Sequence, residues 1–354
     1  MGTKLRAGVI GVGSMGRNHA RVYAAMEEVA LVAVSDSDPQ LATRVGNVYG
    51  CQSYADYNLM LAHEQLDLVS VVVPTHHHFA VASAVVDQGV NLLIEKPITT
   101  TVAEGRALVE AARRAGVLLT VGHIERFNPA IIALKQQLTD HALGKLFQIV
   151  ARRVGPFPAR IMDVGVVVDL ATHDLDILNY LIGSPVTRMQ VELHRHFHQS
   201  HEDLLSALLR FENGVIGMLD INWLTPTKIR ELSVIGERGM FVANYLTQDL
   251  TFYENDLCCD QQWPELAVMG VSEGRSIRQK LQRREPLFEE LHAFSAAVYA
   301  GHAPAVSGND AIIALELANQ IVQAGVNAQP NARLVAPPLA ERAVGMPKGQ
   351  PAIL

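Results

Sequence analysis

Four polar side chains recur on one line between Asp163 and Gly183: Asp169, His173, Asp176 and Tyr180, spaced i, i+4, i+7 and i+11. In an α-helix that spacing puts all four on one face. Apolar Val166, Leu170, Ile177 and Leu181 recur through the same stretch, and Gly183 followed by Pro185 stops it. Two carboxylates and an imidazole on so apolar a helix are costly to bury unless they are paired or in use. Taken alone, the line also fits a solvated stripe with a surface His–Asp pair. A second group, Glu95-Lys96-Pro97, closes a separate apolar run. A lysine amine, an imidazole and a carboxylate brought together form an acid–base set. Here Lys96 and His173 would move the proton, and Asp169 would fix the tautomer and orientation of the ring. Such a set suits oxidation of a secondary alcohol, given a hydride acceptor ~3–3.5 Å from the carbon.

The elements that would hold such an acceptor lie at the N-terminus. Residues 5–10 form a short apolar run, followed by Gly11-Val-Gly-Ser-Met-Gly16, a helical pattern over 14–27, and a second strand over 30–35 ending in Asp36. A lone G-x-G-x-x-G is weak. Strand, glycine turn, helix, strand and an acid about 20 residues on is the dinucleotide-binding fingerprint in its required context. Gly11 permits the tight turn, Gly13 lets backbone approach the pyrophosphate, and Gly16 lets the helix lie close on the strand. The helix opened by Ser14 and Met15 points its N-terminal amides at the phosphates. Asp36 can accept from both ribose hydroxyls and would repel a 2′-phosphate. The run Ser35-Asp-Ser-Asp-Pro39 offers no basic residue to offset that repulsion, so NAD is expected over NADP.

Strand and helix patterns continue to alternate: a strand over 66–73 ending in Pro74-Thr75, a helix over 77–88, a strand over 90–94, a helix over 102–115 and a strand over 117–121. Near-continuous apolar strands separated by helices predict a parallel, doubly wound sheet. Ligands of such sheets sit outside the carboxyl ends of the strands. That places Pro74, Thr75, His78, Glu95, Lys96, His123 and Glu125 around the nicotinamide end. His76, His77 and His78 are consecutive and point in three directions, so they do not make a metal site.

Bulk properties narrow the function classes. With 354 residues two domains are expected, and a net charge of −7 leaves no global basic field for nucleic acid or anionic membrane. Any phosphate must be met locally. Three cysteines make no disulfide framework, the N-terminus runs straight into a strand pattern, and no apolar run reaches the ~18–20 residues of a bilayer span. The expectation is a cytoplasmic protein.

After a helix over 128–140, strand patterns dominate: 146–154, 187–198, 204–211, 215–223, 228–236, 240–245 and 250–253, with Asn213-Gly214 and 237–239 as turns. These predict an open, mostly antiparallel sheet with the helix of Asp169 and His173 lying on it, an α+β domain following the α/β one. His194, His196 and His198 would share one strand face, but no acidic or Cys ligand converges on them, and no metal is expected. Polar residues 261–285 read as a solvated loop or short helix. Helices over 286–300 and 309–324 should pack back on the first domain. The boundaries are 1–123, 124–328 and a Pro/Ala-rich tail or arm over 329–354.

The glycine fingerprint, Pro74-Thr-His-His-His78, Glu95-Lys-Pro97 after a strand, and Asp169-x-x-x-His173 on a helix, in that order, resemble the Gfo/Idh/MocA oxidoreductase family over residues 4 to 325. The resemblance implies that Lys96, Asp169 and His173 form the catalytic group beside the nicotinamide, that Asp176 touches substrate and that a cis bond precedes Pro97. It also implies assembly into homodimers or homotetramers through the open sheet face. Gly122-His-Ile-Glu-Arg-Phe-Asn-Pro129 and the stretch 155–165 are similar to members that oxidise the 3-hydroxyl of UDP-N-acetylglucosamine, whose product passes to an aminotransferase. A substrate diphosphate could be gripped by Arg126 and Arg160, which would otherwise be ion-pair residues bridging the domains. Asn128 would bond sugar hydroxyls or cap the following helix. Two alternatives stand beside this one: a dehydrogenase of inositol or a free sugar, and a cofactor-sensing binder with no chemistry.

Overall fold

In the computed structural model, which describes residues 4–158, 164–198, 200–256 and 272–327, the chain builds two sheets. The first half runs β1 (Leu5–Ile10), α1 (Ser14–Ala25), β2 (Val29–Ser35), α2 (Pro39–Tyr49), β3 (Gln52–Tyr54), α3 (Tyr57–His63), β4 (Leu68–Val71), α4 (His78–Asp87), β5 (Asn91–Glu95), α5 (Val102–Ala115) and β6 (Leu119–Gly122). Its strands pair in parallel in the order β3-β2-β1-β4-β5-β6. Helices cover both faces, so Ala7, Val9, Val69 and Val71 are wholly buried. The order reverses between β1 and β4, which opens the crevice where such sheets take ligands. Local signals fix the helix ends: Asp38 accepts from the first amides of α2, and Thr101 and Glu104 cap α5 reciprocally.

The second half runs α6 (Pro129–Thr139), β7 (Leu146–Val154), α7 (Thr172–Ile182), β8 (Val186–His194), β9 (Leu204–Phe211), β10 (Ile216–Asn222), β11 (Ile229–Gly236), β12 (Gly239–Asn244), β13 (Asp249–Asp256), β14 (Ser272–Gln279), α8 (Pro286–Ala300) and α9 (Gly308–Asn327). The sheet order is β14-β13-β12-β11-β7-β10-β9-β8, antiparallel except for the central β7–β10 pair. One face packs against α7, with Leu175, Leu178 and Leu181 in one core with Ala207, Leu209 and Leu219. Leu287, Leu291 and Phe294 of α8 join the core around Val22 and Tyr23 of α1. Ala311, Ile312 and Leu315 of α9 pack with Ile98 and Leu108. Both closing helices thus return to the first sheet.

Three sequence expectations need correction. Ser272–Gln279, read as loop or short helix, is the edge strand β14, because β13 supplies the carboxylates its arginines need: Arg275 bonds Glu254 at 2.8 Å and Arg278 bonds Asp249 at 2.5 Å. The three histidines do not share a strand face. β8 ends at His194, because the Asp203 carboxylate captures the amides of His196, Phe197 and His198 and curls the chain. Nor is the stretch before α7 regular α-helix, for residues 167–171 form a π-helical turn, a widening frequent at functional sites. Residues 159–163, 257–271 and 328–354, with Arg160, Asp163 and the expected tail, lie outside the described residues.

Candidate active site

The glycine turn is built as its residue types require. Gly11 has φ +85°, and a Cβ there would lie 2.6 Å from the Val72 carbonyl oxygen. A Cβ on Gly16 would lie 1.8 Å from the Gly11 oxygen, so the first turn of α1, opened by Ser14 and Met15, sits directly on the loop. A Cβ on Gly13 would meet nothing within 4 Å, which leaves open space before the helix N-terminus. Asp36 accepts the Val12 amide at 2.8 Å and the Asp38 amide at 3.0 Å, fixing its carboxylate beside the loop. A cavity of about 660 Å³ follows, lined by Gly11, Gly13, Asp36, Tyr57, Pro74 and His77 among others. Its size suits a cofactor. Loop, helix N-terminus, fixed acid and cavity together fit a dinucleotide.

His78 does not line this cavity; His77 does. Thr75 opens the short turn 75–77 that carries both. His78 is 1% exposed, with Nδ1 2.8 Å from the Pro97 carbonyl and Nε2 2.9 Å from that of Val73. It braces the end of β4 against the turn after Lys96. Burial, opposed by those carbonyls and Glu95, holds its pKa below the usual histidine range.

At the end of β5 the Lys96–Pro97 peptide is cis, as the resemblance implied. Lys96 reaches across to the second half of the chain. Its Nζ donates to the Asp169 backbone oxygen at 2.7 Å and lies 3.5 Å from Asp169 Oδ1. The π-helical turn presents both acceptors. His173 shows part of its ring to the site, while its Nδ1 is shut in without a hydrogen-bond partner. Burial, then the surrounding Lys96, Arg153, His123 and Arg230, hold its pKa well below the ordinary range, so the ring is neutral. Asp169 therefore does not orient His173 as expected. An amine cation is a stronger partner for its carboxylate than a neutral imidazole, and it turns to Lys96.

Glu95 accepts the Lys96 amide at 3.1 Å, and its other oxygen lies 3.2 Å from His19 Nε2. Burial opposes its charge, but His19 and Lys96 outweigh it and hold the carboxyl below its usual range. The carboxylate lies over Gly122 of β6, where a Cβ would stand 3.0 Å from its Cδ.

Asp176 and Arg126 are engaged with each other. Arg126 grips both oxygens of Asp176, at 2.8 and 2.5 Å, and reaches Asp310 at 3.5 Å. Asp176 is 1% exposed and Arg126 7%. The geometry therefore supports the ion-pair alternative for Arg126, and it withdraws Asp176 from substrate contact. Tyr180, the last of the polar line, lies between Arg126 and Lys135 at 4.7 and 4.6 Å. Asn128 caps α6 through Ala130 and bonds the Tyr245 carbonyl; at 2% exposure it is closed to sugar.

Sequence reading missed Arg153. It binds Asp174 at 2.6 and 3.1 Å and Glu125 at 2.8 Å, clamping the residue next to His173 to β7 and to the loop after β6. The signal was present: Ile149, Ala151 and Arg153 alternate on the buried side of β7, where a charge is tolerated only with partners. His19 carried no local signal, since its partner lies 76 residues away.

Residues 5–123 match the oxidoreductase family with an NAD-binding Rossmann fold, and residues 131–242 match the Gfo/Idh/MocA C-terminal domain. UDP-N-acetylglucosamine 3-dehydrogenase of Acidithiobacillus ferrooxidans is 32% identical over 85% of this chain and 90% of its own. Its solved structure superposes with a TM-score of 0.80 at 29% identity, over 91% of this chain and 98% of that one. The scyllo-inositol 2-dehydrogenase (NAD(+)) of Bacillus subtilis is 27% identical over 89% and 92% of the two chains. Fingerprint, two-sheet fold and these likenesses agree: the chain belongs to the Gfo/Idh/MocA family and is an NAD-dependent oxidoreductase of this sugar dehydrogenase group.

Proposed function

We propose that the enzyme oxidises the 3-hydroxyl of UDP-N-acetylglucosamine, or of a similar nucleotide sugar, to a 3-keto sugar that an aminotransferase then consumes. The observation that carries the chemistry is the seating of Lys96 Nζ against Asp169, beside a neutral His173. The 32% identical relative supports the substrate. Bound NAD supplies the acceptor for the hydrogen leaving the carbinol carbon. The amides around Gly13 and the α1 N-terminus hold the pyrophosphate, and Asp36 holds the ribose. For the oxidation the Lys96 amine first gives its own proton to solvent; the neutral amine then takes the hydroxyl proton, with the neutral His173 ring beside it as the second proton carrier. Asp169 keeps the amine aimed, and Glu95 fixes the backbone from which it springs.

A second reading, oxidation of an inositol or free sugar, is favoured by the engagement of Arg126 with Asp176, which removes one expected diphosphate ligand. It is also supported by the inositol dehydrogenase among the relatives. A screen of UDP-sugars, free hexoses and inositols for NADH formation, with a 3-aminotransferase drawing off product, separates the two. NADH from UDP-N-acetylglucosamine upholds the first reading; turnover confined to inositols or free hexoses replaces it.

We also infer that the chain self-associates through the uncovered face of the second sheet. Phe147, Leu208, Ile216 and Met218 are 37–46% exposed there, and Met218 stands directly across from Leu208. Among the described residues no helix is long and apolar enough to cross a membrane.

A further inference from the structure

One arginine of the second sheet lacks the partner that two others nearby have. Arg126 and Arg153 each turn the Nε–Nη2 edge of the guanidinium onto a carboxylate, Asp176 and Asp174 respectively. That edge carries two parallel N–H groups and matches two oxygens of a carboxylate or phosphate. Arg230, in β11, uses only Nη1, which donates to the carbonyls of Val154 at 2.8 Å and Ile229 at 3.1 Å. Its Nε and Nη2 make no hydrogen bond among the described residues, and neither is sealed from solvent. The carboxylates of Asp174 and Glu125 are taken by Arg153.

Arg230 lies directly opposite Arg153 in the β11–β7 ladder. Paired residues project to the same face, so both stand on the side of the sheet where Leu232 and Val234 join the core with α7. Arg153 clamps Asp174, the residue after His173. Arg230 is thus one strand away from the clamp beside His173, and its charge helps to keep that ring neutral. Burial, then Arg153, lower the pKa of Arg230, against the pull of Asp174, Glu125 and Asp169. A half-buried cation facing a second cation, with its two-pronged edge open, is stabilised by an anion from outside.

We propose that the Nε–Nη2 edge of Arg230 holds the diphosphate of a nucleotide-sugar substrate, in the role that Arg126 gives up to Asp176. The inference rests on the nucleotide-sugar reading above and assigns it a residue. Anchoring Nη1 on two backbone carbonyls fixes the guanidinium plane before substrate arrives, so less side-chain freedom is lost on binding. An inositol or free hexose brings no charge to this edge, so Arg230 selects between the two substrate classes.

Calorimetric titration of the full chain with UDP tests this, with NADH saturating so that the pyrophosphate site of the first sheet is filled. Arg230→Gln should bind UDP ~10–100-fold more weakly than wild type, with NADH affinity and melting temperature little changed. Arg230→Lys, which keeps the charge and loses the fork, should fall between. Equal UDP affinity in wild type and Arg230→Gln overturns the proposal and leaves the nucleotide-sugar reading standing; no UDP binding by the wild type removes both. A second measurement needs no variant. Phenylglyoxal, which modifies accessible guanidinium groups, should label Arg230 in the NADH-loaded wild type, and UDP should block that label in mass spectra. A label absent without UDP, or unchanged by it, also overturns the proposal.

Discussion

Lys96 is the residue on which the proposed chemistry turns. Replacing it with Ala removes the proton carrier and leaves the glycine turn and Asp36 intact. Lys96→Ala should therefore bind NAD with near-normal affinity and lose ~10²–10⁴-fold or more in turnover. Fluorescence titration and steady-state rates check the two halves separately. The buried imidazoles give a pH signature of their own. His78, His123 and His173 all have pKa values lowered first by burial. Below about pH 6.5 the unfolded chain protonates these rings while the fold keeps them neutral. The unfolded state then holds more protons, so stability falls as pH drops. Glu290, 2% exposed on α8 with neither oxygen hydrogen-bonded, has the opposite sign. It keeps its proton in the fold, whereas the unfolded chain loses it above about pH 4.3, so it costs stability as pH rises. Melting curves should show wild-type stability declining below pH 6.5. Glu290→Gln should melt higher than wild type at neutral pH, and that advantage should disappear near pH 4.

At the scale of elements, two junctions set where the reactive groups lie. The Arg126–Asp176 pair ties α7 to the turn after β6. Removing one partner strands a buried charge, so Arg126→Ala should cost ~3–5 kcal/mol in urea unfolding, and Asp176→Ala added to it should recover part of that loss. Gly122 makes room for Glu95, so Gly122→Ala should displace that carboxylate and weaken turnover more than it weakens folding, read by rates beside melting temperature. Most elements were legible in the sequence. The glycine turn, the strands β1, β2, β4, β5 and β6, and α5 declare themselves by apolar runs and caps, whereas the short polar strand β3 does not. What stayed hidden depends on partners far along the chain. β14 is held by carboxylates 21 and 29 residues away, and the alternatives for Arg126 and Asp176 could be decided only by seeing their mutual grip. The π-helical turn leaves no mark in a spacing that reads equally well as α.

For the whole molecule, the family and the two-sheet plan were both readable from ordered motifs, whereas the pairing of Asp169 with Lys96 in place of His173 was not. The uncovered sheet face carries the remaining prediction at this scale. Met218→Glu or Leu208→Glu should lower the association state in sedimentation while leaving the monomer folded, because both side chains point away from α7. The contact of Lys96 with the main chain at residue 169 joins the two halves through the reactive amine itself. A misdocked pair of halves would leave that nitrogen dangling and idle. If Lys96 carries the proton as proposed, the enzyme is armed only when its two halves are correctly assembled.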